Sequence, residues 1–156
     1  MPRLPGATLT DPPETLGPVL DFMRLLWAVD HGLLKMSRRM ERTLGVTGPQ
    51  RLVVRIVGRH PGISAGALAR TLHLHPGTLT GVLRRLTQKA LLERIADPRD
   101  GRRAMFQLTS GGSAIDQRRT GTSEDRVRGA LRSVTPAEIA TVTRVLTAIA
   151  RHLRRS

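Results

Sequence analysis

"ISAGALARTLHLHPGTLTGVLRRL", Ile63 to Leu86, decides the fold. It resolves into two short amphipathic helices around a tight turn. Ser64 is placed to cap the first, whose inward positions are Leu68, Ala69 and Leu72. His75 is placed to cap the second, with Pro76 at its first position and Leu79, Val82, Leu83 and Leu86 inward. Two helices joined this way predict a helix-turn-helix. The outward positions of the second helix are Gly77, Thr78, Thr80, Gly81, Arg84 and Arg85, small at the N-terminal end and cationic one and two turns later. Such a surface fits a major groove, where Thr and Arg reach base edges and phosphates and small residues let the backbone approach. A merely solvated helical hairpin would carry acid–base pairs at i,i+4 spacing, yet no acid occurs from Pro76 to Leu92.

Immediately downstream, "LLERIA" and "AMFQL" alternate like strands, with Ala104, Phe106 and Leu108 on one face. Between them lies "DPRDGRR", in which Asp97, Arg99, Asp100, Arg102 and Arg103 are charged. Pro98 forbids a continuous ladder, and Asp100-Gly101 is a turn dipeptide in which Gly would take a positive φ. A hairpin tip rich in Arg beside a helix-turn-helix reads as a wing that reaches a minor groove, whose negative potential rewards an inserted cation. Asp97 or Asp100 is expected to accept a charge-assisted bond that fixes an Arg rotamer, so that less side-chain entropy is lost on docking.

Working outward, "GVTGPQRLVVRIVGRHPG" predicts a short helix that starts near Pro49 after the breaks at Gly45 and Gly48, and stops at Gly58, Pro61 and Gly62. Before it, Val19, Phe22, Leu26, Val29, Leu33, Met36 and Met40 recur at steps of three and four, the seam of a helix of about eight turns. Leu20, Met23, Trp27 and Leu34 widen that stripe beyond what one neighbouring helix would cover, so part of it is expected to meet another subunit. After the hairpin, weak periodicity through Ile115, Val127 and Leu131 is interrupted by Gly121. Thr135-Pro136-Ala137-Glu138 then forms a capping box ahead of Ile139, Val142, Val145, Leu146, Ile149 and Leu153. The fold class expected is mainly α with a small β-hairpin wing, a winged helix-turn-helix flanked by a helical dimerisation region from both termini.

Charge agrees with a polyanionic partner. The 156 residues carry 26 Lys and Arg against 12 Asp and Glu, a formal charge of +14, and only Lys35 and Lys89 are lysines. Arg has the fixed fork that suits phosphate and guanine. With Phe22, Trp27 and Phe106 as the sole aromatics, no stacking platform for single strands is present, which favours duplex DNA. The absence of Cys removes disulfides, thiolate zinc sites and thiol redox switching, and fits the cytoplasm. No uncharged apolar run reaches the ~18 residues of a membrane span, so no membrane partner is expected. Residues 1–14, with Pro2, Pro5, Pro12 and Pro13, read as a disordered arm, and 15–156 as one domain.

The order of long helix, short helix, helix-turn-helix, wing and further helices resembles the MarR family of bacterial transcription regulators from about Leu16 to Arg155. "GVTGPQRLVV" is similar to the family's V-T-x-x-Q segment. "ISAGALARTLHLHPGTLTGVLRRLTQKALLER" is similar to its L-A-x-x-L…V-x-x-L-x-x-x-G-L-V-x-R pattern, and "DPRDGRRAMFQLT" to its D-P-x-D-x-R wing. Ala90 departs from the pattern where the family has the Gly that ends the recognition helix, and Gly81 where a larger polar residue is common. The resemblance implies a homodimer with interlocked terminal helices, about 15–45 and 110–156, and a winged helix-turn-helix, about 49–109, placed on each half of a palindromic operator. It puts Thr78, Thr80, Arg84 and Arg85 on the recognition helix. Arg102 matches the minor-groove Arg with Asp100 as its buttress, and Arg99 is the competing tip residue. It also implies a small lipophilic or aromatic effector, for which Phe22, Met23, Trp27, His31 and Met36 supply soft side chains and one imidazole.

Other functions find little purchase. The chain has no G-x-S-x-G, no phosphate loop and no Cys nucleophile, so no enzyme and no cofactor are expected. His73-x-His75 across a turn is not ligand spacing for one metal on a helix, and no metal is assigned. The competing reading is an architectural winged-helix protein that coats DNA without operator choice or effector response.

Overall fold

The computed structural model describes residues 15–154, so the arm expected at 1–14 lies outside the described residues. Seven α-helices and three strands follow in the order α1 (Pro18–Leu44), α2 (Gly48–Arg59), β1 (Ile63–Ser64), α3 (Ala65–Leu72), α4 (Pro76–Gln88), β2 (Leu92–Ala96), β3 (Ala104–Leu108), α5 (Ser110–Gln117), α6 (Ser123–Ala130) and α7 (Pro136–Leu153), with a single 3-10 turn at Leu131–Ser133. By internal contacts the chain divides into two units at Gly32/Leu33. Among the described residues no helix is long and apolar enough to cross a membrane.

In the first unit, α1 starts where Asp21 gathers the preceding chain: its carboxylate accepts the Thr15 hydroxyl at 2.9 Å, the Leu16 N–H at 3.2 Å and Arg24 Nε at 2.9 Å. The Thr15 bond, with the Leu16 and Arg24 contacts behind it, holds this carboxyl below its ordinary range. The apolar stripe here is uncovered, with Val19 72% and Trp27 65% exposed.

The second unit holds the core. Val53, Val54 and Val57 of α2 meet Leu68 of α3, Leu79, Leu83 and Leu86 of α4, Leu92 of β2 and Phe106 of β3. Each such side chain, fully buried, stabilises the fold by roughly 1.5–3 kcal/mol. The strands form one antiparallel sheet in the order β1-β3-β2, with Leu92 opposite Leu108, Ala96 opposite Ala104 and Ile63 opposite Phe106.

Helix ends follow local chemistry. Ser64 caps α3 by accepting the Ala67 N–H at 3.2 Å, and His75 caps α4. Thr135 and Glu138 close the predicted capping box of α7, and the Thr135 hydroxyl and N–H hold the Glu138 carboxyl below its ordinary range. Gly45 is left-handed, φ +74°, and ends α1 as expected. Gly48 and Gly58, expected to break the chain, are instead helical. The Gly48 N–H donates to Ser37 Oγ at 2.8 Å, and Gly58 lies where a Cβ would crowd Asp116 and Leu108. The weak region after the hairpin is two helices, α5 and α6, parted near Gly121, φ +73°. Helix α7 has no buried residue, and Val142, Leu146 and Leu153 are exposed.

One buried cation ties these pieces together. Arg51 on α2 is 1% exposed. Its Nε donates to Glu124 at 2.8 Å, and its terminal nitrogens donate to the carbonyls of Ile115 and, at 2.6 Å, Arg118. Arg55, one turn on, pairs with Asp116 at 2.6 Å. At the end of α5 the Ile115 carbonyl, which also accepts the Arg118 N–H at 3.2 Å, and the Arg118 carbonyl are thereby bonded by a buried side chain. Burial pushes the Glu124 carboxyl up, but its own N–H, the Arg51 bond and the charges of Arg51 and Arg55 outweigh that and hold it below its ordinary range.

Candidate nucleic-acid interface

Helix α4 presents the predicted reading face. Gly77, Thr78, Thr80, Arg84 and Arg85 are exposed, and Gly81 is half-buried with nothing within 4 Å of where a Cβ would stand. The Thr80 hydroxyl donates to the Pro76 carbonyl at 2.9 Å, which leaves its oxygen as an acceptor toward a ligand. The helix is anchored at its far end: Lys89 Nζ donates to the Gly45 carbonyl at 2.7 Å and to the Gln50 amide oxygen at 3.1 Å, and the Thr109 hydroxyl donates to the Ala90 carbonyl at 2.6 Å. Ala90 itself is left-handed, φ +54°, in the position where a Gly was missed in the sequence.

The wing tip is built differently from the expectation. Asp97 accepts the backbone N–H of Arg99 at 2.8 Å, and Asp100 accepts that of Arg102 at 3.1 Å. The acids therefore fold the tip as side-chain-to-backbone turns and do not buttress a guanidinium. Asp100 closes a four-residue turn by accepting the Arg103 N–H at 2.9 Å, and Gly101 does not take the positive φ expected of it. Among the described residues, Arg99, Arg102 and Arg103 have no acid partner, and neither have Arg84 and Arg85. All five are exposed, so their charge is free for an anion.

Between α4 and the sheet runs a groove of about 570 Å³, floored by Leu83, Ala104 and Phe106 and edged by Thr80, Arg84 and Arg94. Arg94, on β2, is a cation that the reading of the sequence passed over. Its signal was present, since it is exposed on a strand next to the Arg-rich tip and no acid but Glu93, Asp97 and Asp100 occurs in residues 49–109. The structure thus puts Thr80 and Arg84 of the reading helix on one groove with a wing strand.

The residues expected to receive an effector are not gathered in this way. Phe22, Met23, Trp27 and His31 lie on α1 in the first unit. At about 100° per residue, Met23, Trp27 and His31 fall on one side of the helix and Phe22 on nearly the opposite one. Met36 belongs to the second unit. Among the described residues no group of His, Asp and Glu is placed to hold a metal ion.

Comparison with known proteins agrees with this architecture. A family model described as "MarR family" matches residues 44–103, from the end of α1 to the wing tip. The multiple antibiotic resistance protein MarR of Escherichia coli is 27% identical over 125 residues, 80% of this chain and 87% of that protein. From the end of α1 to the wing tip the chain is similar to the MarR family. A solved Escherichia coli MarR variant complexed with operator DNA superposes with a TM-score of 0.68 at 26% identity, covering 84% of this chain and 94% of that one. The organic hydroperoxide resistance transcriptional regulator of Bacillus subtilis is 28% identical over 94 residues, 60% of this chain, and this chain spans only 64% of that protein's length. The MarR assignment therefore rests most firmly on α2 to the wing, the segment that carries the exposed cations.

Proposed function

We propose that this chain is a transcription regulator that binds double-stranded DNA as a homodimer on a palindromic operator, acting as a repressor released by a small lipophilic or aromatic effector. The observation that carries the DNA reading is the pairing of an exposed, acid-free α4 face with a wing whose three arginines have no acid partner among the described residues. Thr78, Thr80, Arg84 and Arg85 would address the major groove, Gly77 and Gly81 would let the backbone close on it, and Arg99, Arg102 and Arg103 would address the minor groove or its phosphates. Asp100, as a turn former, sets where Arg102 points.

The dimer reading is supported by two helices with bare apolar stripes, α1 and α7. Val142 is 54% and Leu146 42% exposed, one turn apart on α7, a strip that a second copy would cover. The effector reading is supported only by the soft residues of α1 around Trp27. Because the chain has no Cys, whatever the signal is, no thiol oxidation can report it.

Selection of bound duplexes from a random pool, followed by competition with unrelated duplex, tests the function. A regulator should recover a palindromic site and prefer it by ~10³-fold or more. Equal binding to all duplexes would leave an architectural coating protein in its place. Light scattering on the same preparation should give twice the chain mass.

A further inference from the structure

The N-cap of the reading helix is an imidazole, and the way it is held gives it a second use. His75 Nδ1 accepts the Gly77 N–H at 3.1 Å, which leaves Nε2 as the ring's donor. The ring lies close to Gly77, where a Cβ would stand 3.2 Å from Nδ1 and 3.5 Å from Cε1. Cap bond and missing Cβ together fix the ring's position. His75 is exposed, and Nε2 has no hydrogen-bond partner among the described residues.

Capping alone does not call for an imidazole. Ser, Asp or Asn supplies the acceptor with a shorter side chain and is a better cap. Asp would also set a carboxylate against DNA at the end of the helix that enters the groove. A neutral His keeps the cap, adds no negative charge and turns an N–H donor outward beside Thr78.

We propose that His75 is a DNA-contacting residue, donating a neutral hydrogen bond from Nε2 to a phosphate oxygen of the duplex at the entry of the reading helix. The inference rests on the DNA-binding reading given above. It makes His75 unlike Arg84 and Arg85: a neutral donor displaces no condensed counterion, so its removal weakens binding without changing the salt dependence.

The test is fluorescence anisotropy with the selected operator and with an unrelated duplex, at several potassium chloride concentrations, for the wild-type chain, His75→Asn and Arg84→Ala. Asn keeps an acceptor for the Gly77 N–H but not the reach of Nε2. Expected for His75→Asn is a loss of about threefold to tenfold on both duplexes, with the slope of log affinity against log salt unchanged. Arg84→Ala is expected to reduce that slope by about one. Affinity within experimental error of wild type overturns the proposal, as does a loss confined to the operator, which would mean a base contact instead. If His75→Asn melts at a lower temperature, His75→Asp decides: it restores a strong cap but replaces the donor by a charge, and wild-type affinity in that variant refutes the contact. Failure of the wild-type chain to bind any duplex would refute the DNA reading itself.

Discussion

Replacing Arg51 by Met isolates the buried cation from the packing around it, because Met keeps most of the aliphatic stem and removes only the guanidinium. Three acceptors lose one donor each: the Glu124 carboxylate, which keeps Arg55 Nε at 3.8 Å, and the carbonyls of Ile115 and Arg118. The bond to a charged carboxylate contributes about 1.5–3 kcal/mol. Glu124 is 35% exposed on its side chain, so water recovers part of this and the lower half of that range applies. The half-buried Ile115 carbonyl keeps the Arg118 N–H at 3.2 Å and loses only its second donor, at a cost of up to about 1 kcal/mol, whereas Arg118 is exposed and its carbonyl turns to water at little cost. The total is about 2–3 kcal/mol, at or just below the low end of what breaking a buried pair costs. Urea denaturation followed by circular dichroism at pH 7, at one fixed chain concentration, reads it directly. A loss below about 1 kcal/mol would mean that the α5 end and Glu124 are held by something other than Arg51, and the argument would fail.

Three further outcomes follow from local geometry. Ala90→Gly should raise stability by roughly 0.5–1 kcal/mol, since relief of a left-handed Ala outweighs the added freedom of the unfolded chain, and an unchanged or lower urea midpoint would contradict the strain. Gly112→Ala should cost at least about 3 kcal/mol or abolish folding, because a Cβ there would overlap the Leu91 carbonyl, while Gly81→Ala, in open space, should stabilise α4 by up to about 1 kcal/mol; equal melting temperatures for the two variants would refute this. Glu124 is more acidic folded than its ordinary value of 4.5, so its contribution is complete above that pH and is lost as pH falls through the lower folded value; the stability gap between wild type and Glu124→Gln should therefore be largest at pH 7 and shrink below about pH 4, and a gap independent of pH would exclude the ion pair as its source.

What could be read in the sequence, and what could not, divides by the distance over which each interaction acts. Caps act within three or four residues, so Ser64, His75 and the Thr135–Glu138 box stood at their predicted places, and the two period-two strands formed on either side of the tip. Gly48 and Gly58 were misjudged because the roughly 1 kcal/mol that Gly costs inside a helix is smaller than what tertiary partners return: Ser37 takes the Gly48 N–H, and Asp116 needs the space beside Gly58. At the tip, five charges suggested carboxylate–guanidinium pairs, but the nearest donor to an Asp in a turn is the N–H two residues on, and a short carboxylate reaches that with fewer rotors to freeze than an Arg requires. The same choice leaves the wing arginines uncompensated, so the local rule that defeated the expectation is what supplies the interface with free charge. Arg51 and Glu124 are 73 residues apart; nothing short-range marks them, and only an Arg repeated at i,i+4 in a helix rich in Val pointed there. Lys89 belongs to the same class, joining the end of α4 to Gly45 and to buried Gln50. A shift of α4 alone would break the Lys89 bonds to Gly45 and Gln50 and the Thr109–Ala90 bond, so these contacts tie α2, α4 and the wing to one another.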